Sequence, residues 1–214
     1  MELRRRRRTR ARRSRSIAVL LAVGTLLLGA WPDAAVAKKG GKLEFDMVVS
    51  TGATNCLPHA TGHVTVQAAG DNEQMRVEVE GLVPHITYTL FVLQVPTAFF
   101  GVSWYQGNIT TDREGRGSKT FLGIFSGETF IVAPVSRTAP QTHRGLDAAS
   151  NPLTAPVHMY HLGLWFNDPG DAAGAGCSGN ATPFNGAHVA GIQVLNTSNA
   201  GFEAADGPLG KFEP

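Results

Sequence analysis

Short runs in which apolar and polar residues alternate dominate the chain after residue 40. The clearest run is 75–80, where Met75, Val77 and Val79 alternate with charged residues. Alternation with a period of two predicts a β-strand that buries one face. Residues 87–95 are β-branched and aromatic with almost no polar interruption, which predicts a strand in the middle of a sheet. Further strands are predicted at 43–50, 63–69, 104–111, 118–124, 129–135, 157–166 and 188–195.

Turn-forming residues separate these predicted strands. The segments 70–72, 112–115 and 167–170 are rich in Gly, Asp, Asn and Pro, which favour tight turns. No segment after residue 37 keeps a helical period. About nine short strands, with turns about every 8–12 residues, predict an all-β fold, specifically an antiparallel β-sandwich. Four prolines mark 134–156 as a long loop of this domain.

The first 37 residues follow another pattern, which is typical of a secretory signal peptide. Nine arginines precede an apolar run at 17–30, and the small residues of Ala35-Val36-Ala37 close the segment. The apolar run is shorter than the roughly 20 residues that span a bilayer. We therefore predict cleavage after Ala37, a single domain over 38–214 without a stable membrane span, and a location outside the cell or in its envelope.

Removal of this leader changes the charge of the protein. The whole chain has a net charge of +2. The leader holds nine of the 19 basic residues and two of the 17 acidic ones, so the remainder has 10 basic and 15 acidic residues and a net charge of −5. Because its positive residues are few and scattered, we do not expect nucleic acid to be a partner.

The two cysteines, Cys56 and Cys177, both follow the leader. An even pair in an oxidising compartment favours one disulfide. The bond would close a loop of about 120 residues, for which the chain-entropy model gives about 4–5 kcal/mol of stabilisation. A catalytic thiol or a metal ligand is the alternative, although neither cysteine lies in a Cys-x-x-Cys pair.

Residues 81–92 resemble a motif of fibronectin type III and related Ig-like sandwiches. Leu82, Pro84 and Tyr88 have the spacing of the tyrosine corner, in which the tyrosine hydroxyl bonds to the backbone upstream. His85-Ile86 stands where that motif usually has Gly-Thr. The chain as a whole is similar to uncharacterised secreted actinobacterial β-sandwich proteins. Both resemblances imply a β-sandwich, and the tyrosine corner implies one of the Ig-like Greek-key type; neither carries an activity with it.

Histidines supply candidate metal chemistry. A copper or zinc site needs three or four converging ligands, and copper–zinc superoxide dismutase is a β-sandwich with such a cluster and one disulfide. This chain has no His-x-His pair, and two histidines three residues apart on a strand point to opposite faces. A metal-binding protein or metal-dependent secreted enzyme is therefore the alternative interpretation. Its candidate ligands are His59, His63, His158, His161 and His188.

Aromatic residues supply the preferred candidate site. The segment 99–105 contains Phe99, Phe100, Trp104 and Tyr105, and exposed aromatic rings stack on sugars or anchor partner proteins. Trp165 is predicted to belong to the core. No Gly-x-Ser-x-Gly elbow or other catalytic set is found. The leading hypothesis is a secreted, non-enzymatic module without a cofactor that binds an extracellular ligand, a glycan or a protein.

Overall fold

Strands and the turns between them account for nearly all of the chain that the structure describes. A computed structural model describes residues 41–97, 100–127, 130–132, 155–177, 179, 181–185 and 188–214. They belong to one compact unit, Asp33–Pro214. The predicted signal peptide at 1–37 lies outside the described residues. None of the described helices is long and apolar enough to cross a membrane.

The strand bounds confirm the all-β prediction. The first six strands are β1 (Lys42–Val49), β2 (Thr61–Ala69), β3 (Asn72–Glu80), β4 (Thr87–Leu93), β5 (Ser103–Thr110) and β6 (Gly117–Gly123). The others are β7 (Phe130–Val132), β8 (Ala155–Val157), β9 (His161–Phe166), β10 (Thr182–Asn185), β11 (His188–Ala190) and β12 (Gln193–Asn196). A short helix, α1 (Pro169–Gly174), connects β9 to β10.

Eight of the described strands form one antiparallel sheet, in the order β5-β4-β9-β12-β1-β2-β3-β6. The sheet curls until its two edge strands approach each other. A Cβ added to Gly107 of β5 would lie 2.9 Å from the Phe121 ring of β6, and one added to Gly117 would lie 2.8 Å from Ile109 Cγ2. The sheet is therefore nearly barrel-shaped. Its edges approach closely because Gly107 and Gly117 have no side chains at the points of contact.

The inner face of this curled sheet holds the main core. On β3, Met75, Val77 and Val79 are buried, as the alternation predicts. Strands β1 and β2 show the same inward and outward alternation over most of their length. Burying one such side chain stabilises the fold by about 1.5–3 kcal/mol relative to leaving it exposed. The outer face of these three strands is largely polar and open to solvent.

Strand β9 is buried on both faces. Leu162, Leu164 and Phe166 belong to the main core, and the alternation of side chains directs His161, Gly163 and Trp165 to the outer face. All six residues are buried. Its neighbour β4 is also largely buried on both faces and lies between β5 and β9, which confirms the prediction of a strand in the middle of a sheet.

The C-terminal segment, residues 198–214, lies against the end of the sheet where β9 begins, and its Glu203 carbonyl contacts His161 on the outer face. The backbone N–H of Leu209 donates to the Tyr160 carbonyl at 3.1 Å. A Cβ on Gly207 would lie 2.4 Å from the Tyr160 carbonyl carbon, so only glycine permits this approach. Leu209 and Phe212 are buried and anchor the segment in the main core.

Some predicted elements differ from the observed ones. The predicted strand 188–195 is interrupted at Gly191 and Ile192, and 157–166 is divided between the end of β8 and β9. Helix α1 was not predicted, because its six residues are too few to show a helical period. The start of the helix nevertheless carries two sequence signals. Asp168 is the N-cap, and its carboxylate accepts a 2.6 Å hydrogen bond from the Gly170 N–H; a proline occupies the first turn.

The predicted loop at 134–156 lies mostly outside the described residues. Its last two residues, Ala155 and Pro156, belong to β8, which pairs antiparallel with β7. The sequence turn at 112–115 is confirmed between β5 and β6: the Asp112 carboxylate accepts 2.9 Å hydrogen bonds from the N–H groups of Glu114 and Arg116. Gly115 is required there, with φ of +72° and Leu82 O only 2.1 Å from an added Cβ.

Tyr88 makes the hydrogen bond that the tyrosine-corner motif predicts. Its hydroxyl accepts from the backbone N–H of Val83 at 3.0 Å. The side chain is fully buried, and this burial raises the pKa of Tyr88 to about 12. The resemblance to fibronectin type III domains stays a prediction, since one hydrogen bond does not define a family.

The predicted disulfide between Cys56 and Cys177 is present, with their Cα atoms 5.3 Å apart. Cys56 follows the short 3₁₀ turn after β1, and Cys177 follows α1. The bond therefore ties the connection between β9 and β10 to the connection between β1 and β2. Its partners are 121 residues apart.

Reduction of this disulfide should lower the free energy of unfolding by about 2–5 kcal/mol, because the reduced unfolded chain regains conformations that the cross-link forbids. Urea unfolding of the oxidised and reduced protein measures the difference. The double variant Cys56→Ala, Cys177→Ala is the control and should be insensitive to reductant. An unchanged unfolding midpoint after complete thiol release would contradict this prediction.

Candidate functional site

A second apolar cluster lies on the outer face of β4 and β9, separate from the main core. Leu93, Trp165 and Ala190 are buried there, and Phe91 and Phe100 pack against them half-buried. Both phenyl rings stand nearly perpendicular to the Trp165 indole, with centroids at 5.3 Å and 5.1 Å. Edge-to-face pairs of this kind add about 0.5–1.5 kcal/mol to the gain from burial. We call Phe91, Phe100 and Trp165 the aromatic cluster.

Tyr105 extends the aromatic cluster to the surface. Its ring meets Phe91 edge-on at a centroid distance of 6.1 Å and is 45% exposed. Trp104 is 55% exposed, but it pairs with Val92, whose side chain lies in the main core. Alternation therefore directs Trp104 to the opposite face of β5. Both rings are exposed, as the binding hypothesis requires, but only Tyr105 borders the aromatic cluster.

Phe100 is held beside Trp165 by the turn that joins β4 to β5. The backbone N–H of Val95 donates to the Phe100 carbonyl at 2.9 Å. Gly101 has φ of +68°, and a Cβ there would lie 2.3 Å from Gln94 Oε1, so glycine is required after Phe100. Phe99, the remaining aromatic residue of the predicted site, lies outside the described residues.

A small cavity of about 70 Å³, open to solvent on one side, adjoins the aromatic cluster. Leu93, Ser103, Thr182 and Ala190 complete its described lining. None of these described lining residues carries a charge. Apolar and aromatic walls with a few polar groups are characteristic of small-molecule sites, although the volume suits only a small group and not a drug-sized ligand.

Trp165 contributes the one polar atom of the aromatic cluster. The residue is 3% exposed, and its indole Nε1–H has no hydrogen-bond partner among the described residues. A buried donor left unpaired costs about 1–3 kcal/mol, and native proteins rarely leave such groups without a reason. A ligand that supplies an acceptor would remove this cost.

Gly163 determines how the indole lies. A Cβ at this position would be 2.5 Å from Trp165 Cζ3 and 2.8 Å from Leu93 Cδ1. The benzene edge of the indole therefore rests on Gly163, and the N–H is on the opposite edge of the ring. The sequence predicted the burial of Trp165 correctly but not its position beside a cavity. A glycine two residues before a tryptophan on the same strand face was the available signal, because it marks a close approach.

The histidines proposed as metal ligands are not brought together in the described structure. Within the described residues, no three His, Cys, Asp or Glu side chains are arranged to hold a metal ion. His63 donates from Nδ1 to the Asp46 carboxylate at 2.7 Å. His158 forms a 2.9 Å hydrogen bond between its Nδ1 and the Tyr160 hydroxyl, and its ring stacks on the Tyr160 ring. His59 is exposed. The side chain of His188 lies outside the described part, so the copper or zinc alternative stays a prediction.

His161 is buried and uses both ring nitrogens. Because a carbonyl only accepts, Nε2 carries the proton that it donates to Glu203 O at 2.9 Å. Nδ1 then accepts from the Thr197 hydroxyl at 3.0 Å, and the same hydroxyl oxygen accepts from Leu162 N–H at 3.1 Å. Burial lowers the pKa of His161. The residue thus joins β9 to the C-terminal segment in its neutral form.

Comparison of the chain with models of known protein families and with curated proteins finds no match. The site is therefore interpreted from its own geometry.

The free energy of unfolding should fall between pH 7.5 and pH 5. The pKa of His161 is lower in the folded state than in the unfolded state. Its contribution to stability is therefore complete when the pH is above the unfolded-state pKa, and it is lost as the pH falls through the folded-state pKa. Urea unfolding at both pH values should show a smaller loss for His161→Gln than for the wild type. His59→Gln, which replaces an exposed histidine, is the matched control. Equal losses in His161→Gln and wild type would show that His161 does not produce this dependence.

Gly163→Ala should destabilise the protein by about 1–3 kcal/mol, because the new methyl group forces the indole away from β9. Chemical unfolding measures the loss, and tryptophan fluorescence reports the displaced ring. Gly174→Ala is the control, since an added Cβ there meets nothing within 4 Å. A Gly163→Ala protein as stable as the wild type would mean that the indole does not depend on this close approach.

Proposed function

We propose that the protein is an exported, non-enzymatic binding module that holds an apolar ring in the cavity beside the aromatic cluster. The observation that carries the proposal is the buried Trp165 N–H, which has no partner among the described residues and lies in a side chain that lines this cavity. The same side chains would supply both the apolar contact and a hydrogen bond.

The character of the cavity supports binding in preference to catalysis. The polar side chains in its described lining are the hydroxyls of Ser103 and Thr182 and the Trp165 indole. General acid–base chemistry at neutral pH depends on a positioned group with a suitable pKa, and the described lining has no titratable side chain. Tyr105, exposed next to Phe91, offers an amphipathic ring at the edge of the site.

Export is part of the same proposal. The leader pattern at 1–37 supports cleavage after Ala37 and release outside the cell or into its envelope. The Cys56–Cys177 disulfide fits an oxidising compartment. An extracellular ligand, whether a free small molecule or a group of a glycan or protein, is then the expected partner.

The finer topology is also proposed. Strands β1, β2 and β3 are neighbours in the sheet, whereas β6 joins β3 only after β4 and β5 have been placed at the other end of the order. This order supports a Greek-key connection. The near approach of the edge strands favours a closed arrangement of the sheet. An Ig-like sandwich is the form of this arrangement that we propose, in which the closed sheet is flattened into two layers.

Toluene tests the binding role, because it supplies an apolar ring with no other chemistry. A titration followed by ¹H–¹⁵N correlation spectra should shift the Trp165 indole resonance and saturate in the millimolar range, as expected for a ligand of about seven heavy atoms. Ala190→Leu, which fills the cavity, should weaken binding at least about fivefold. Val189→Leu is the matched control, since Val189 is exposed on the same strand. Absence of a saturable shift would refute the proposed function.

A further inference from the structure

We infer that the cavity selects an uncharged ring that carries one hydrogen-bond acceptor, such as an aryl ketone, ester or amide. This inference rests on the proposed function and names the ligand class of the same site. It follows from three properties of the described lining: its shape, its unpaired donor and its lack of charge.

The shape favours a single ring. Phe91 and Phe100 both stand edge-on to the indole, at interplanar angles of 78° and 79°. A planar ligand beside them meets phenyl and indole surfaces, for which offset or edge-to-face contacts are favourable. The cavity has a volume of about 70 Å³ and is open to solvent, so it receives the substituent and one edge of a ring and excludes a large ligand.

The unpaired donor requires an acceptor on that substituent. An indole N–H can donate but cannot accept. A ring without an acceptor leaves the Trp165 N–H buried and unpaired, whereas a carbonyl oxygen pairs it. Sites built around a buried hydrogen-bonding group discriminate strongly against ligands that leave the group unpaired. The preference should therefore be for a carbonyl over a methylene group of the same shape.

The lack of charge in the described lining disfavours ionic ligands. No Lys, Arg, His, Asp or Glu occurs in the described lining. A carboxylate or ammonium group would lose its hydration without gaining a counter-charge, which is costly in an apolar site. Charged residues are found instead on the outer face of β1–β3, where Lys42–Glu44 and Arg76–Glu78 form exposed ion pairs.

Phe100 controls the approach to the N–H. The Nε1 atom is itself covered, and the half-buried Phe100 ring packs edge-on against the indole at 5.1 Å. An acceptor therefore reaches Nε1 only when a side chain beside the indole moves, and we expect this to be Phe100, which is half-buried and lies in the connection between β4 and β5. Phe91, by contrast, is held on β4 between two neighbouring strands.

Acetophenone and α-methylstyrene test the inference, because they have the same shape and differ in C=O against C=CH₂. The chain has three tryptophans, so Trp31→Phe with Trp104→Phe leaves Trp165 as the source of the indole N–H resonance. Acetophenone should bind at least about tenfold more tightly than α-methylstyrene and move the indole proton downfield. Benzoate, which adds a charge to the same ring, should not bind.

The outcomes separate the two proposals. Equal affinities of acetophenone and α-methylstyrene would overturn the acceptor requirement and leave the binding role intact. Binding of benzoate as tight as that of acetophenone would overturn the requirement for an uncharged ligand. Failure of all three compounds and of toluene would refute the binding role itself.

Two further variants assign the donor. Trp165→Phe keeps an aromatic ring and removes the N–H, so it should reduce the tenfold preference to near unity. Ser103→Ala combined with Thr182→Val removes the hydroxyl groups of the lining and should leave the preference unchanged. Loss of the preference in the hydroxyl variant alone would overturn the role of Trp165. The downfield shift is measured with the indole intact, so it tests the inference even if Trp165→Phe does not fold.

Discussion

The rest of the structure depends on the burial of β9 on both faces. Its inner side chains complete the main core, and its outer side chains, His161 and Trp165, need a second cover. The chain after β9 supplies that cover in two pieces. The C-terminal segment pairs with the start of the strand, and Ala190 of β11 packs against Trp165 near its end. In the described part of the chain, the outer face of strands β1–β3 is largely exposed, and it is correspondingly polar.

The candidate site is a consequence of this cover. A second layer on a sheet packs completely only where its side chains match the surface below. Over Gly163 the indole of Trp165 fills the space left by the missing side chain. Beside it, the aromatic cluster and the β10–β11 hairpin leave a cavity. The indole N–H has no hydrogen-bond partner among the described residues, which is the feature on which the proposed binding role depends.

Local patterns in the sequence were sufficient for the elements whose environment is simple. Alternation at 75–80 predicted β3 because one face meets the core and the other meets water. The nearly continuous apolar run at 87–95 predicted an interior strand, and the spacing of the two cysteines allowed their pairing to be predicted. The turn at 112–115 was predicted because Asp112 and Gly115 act within five residues of each other.

The site could be predicted only in part, because it is assembled by long-range packing. Phe100 and Tyr105 were predicted to belong to it, but Phe91 and Trp165 come from strands whose hydrophobicity indicates a core and does not say which face is covered. Adjacent residues of a strand point to opposite faces, so Trp104 and Tyr105 cannot both border the site. Which of the two does so depends on the register between β4 and β5, which contains an irregularity. Helix α1 is fixed by a cap and a proline within a single turn, too short a segment for periodicity to detect.

The approach of β5 to β6 has a consequence for how the protein behaves among other protein chains. An open sheet presents unpaired backbone groups along its edge strands, which are templates for pairing with other chains. Here each edge strand packs against the other through Gly107 and Gly117, so an added strand would have to separate them. The eight-stranded sheet is thereby protected from edge-to-edge aggregation by its own curvature, with no charged or proline-containing edge needed for the purpose.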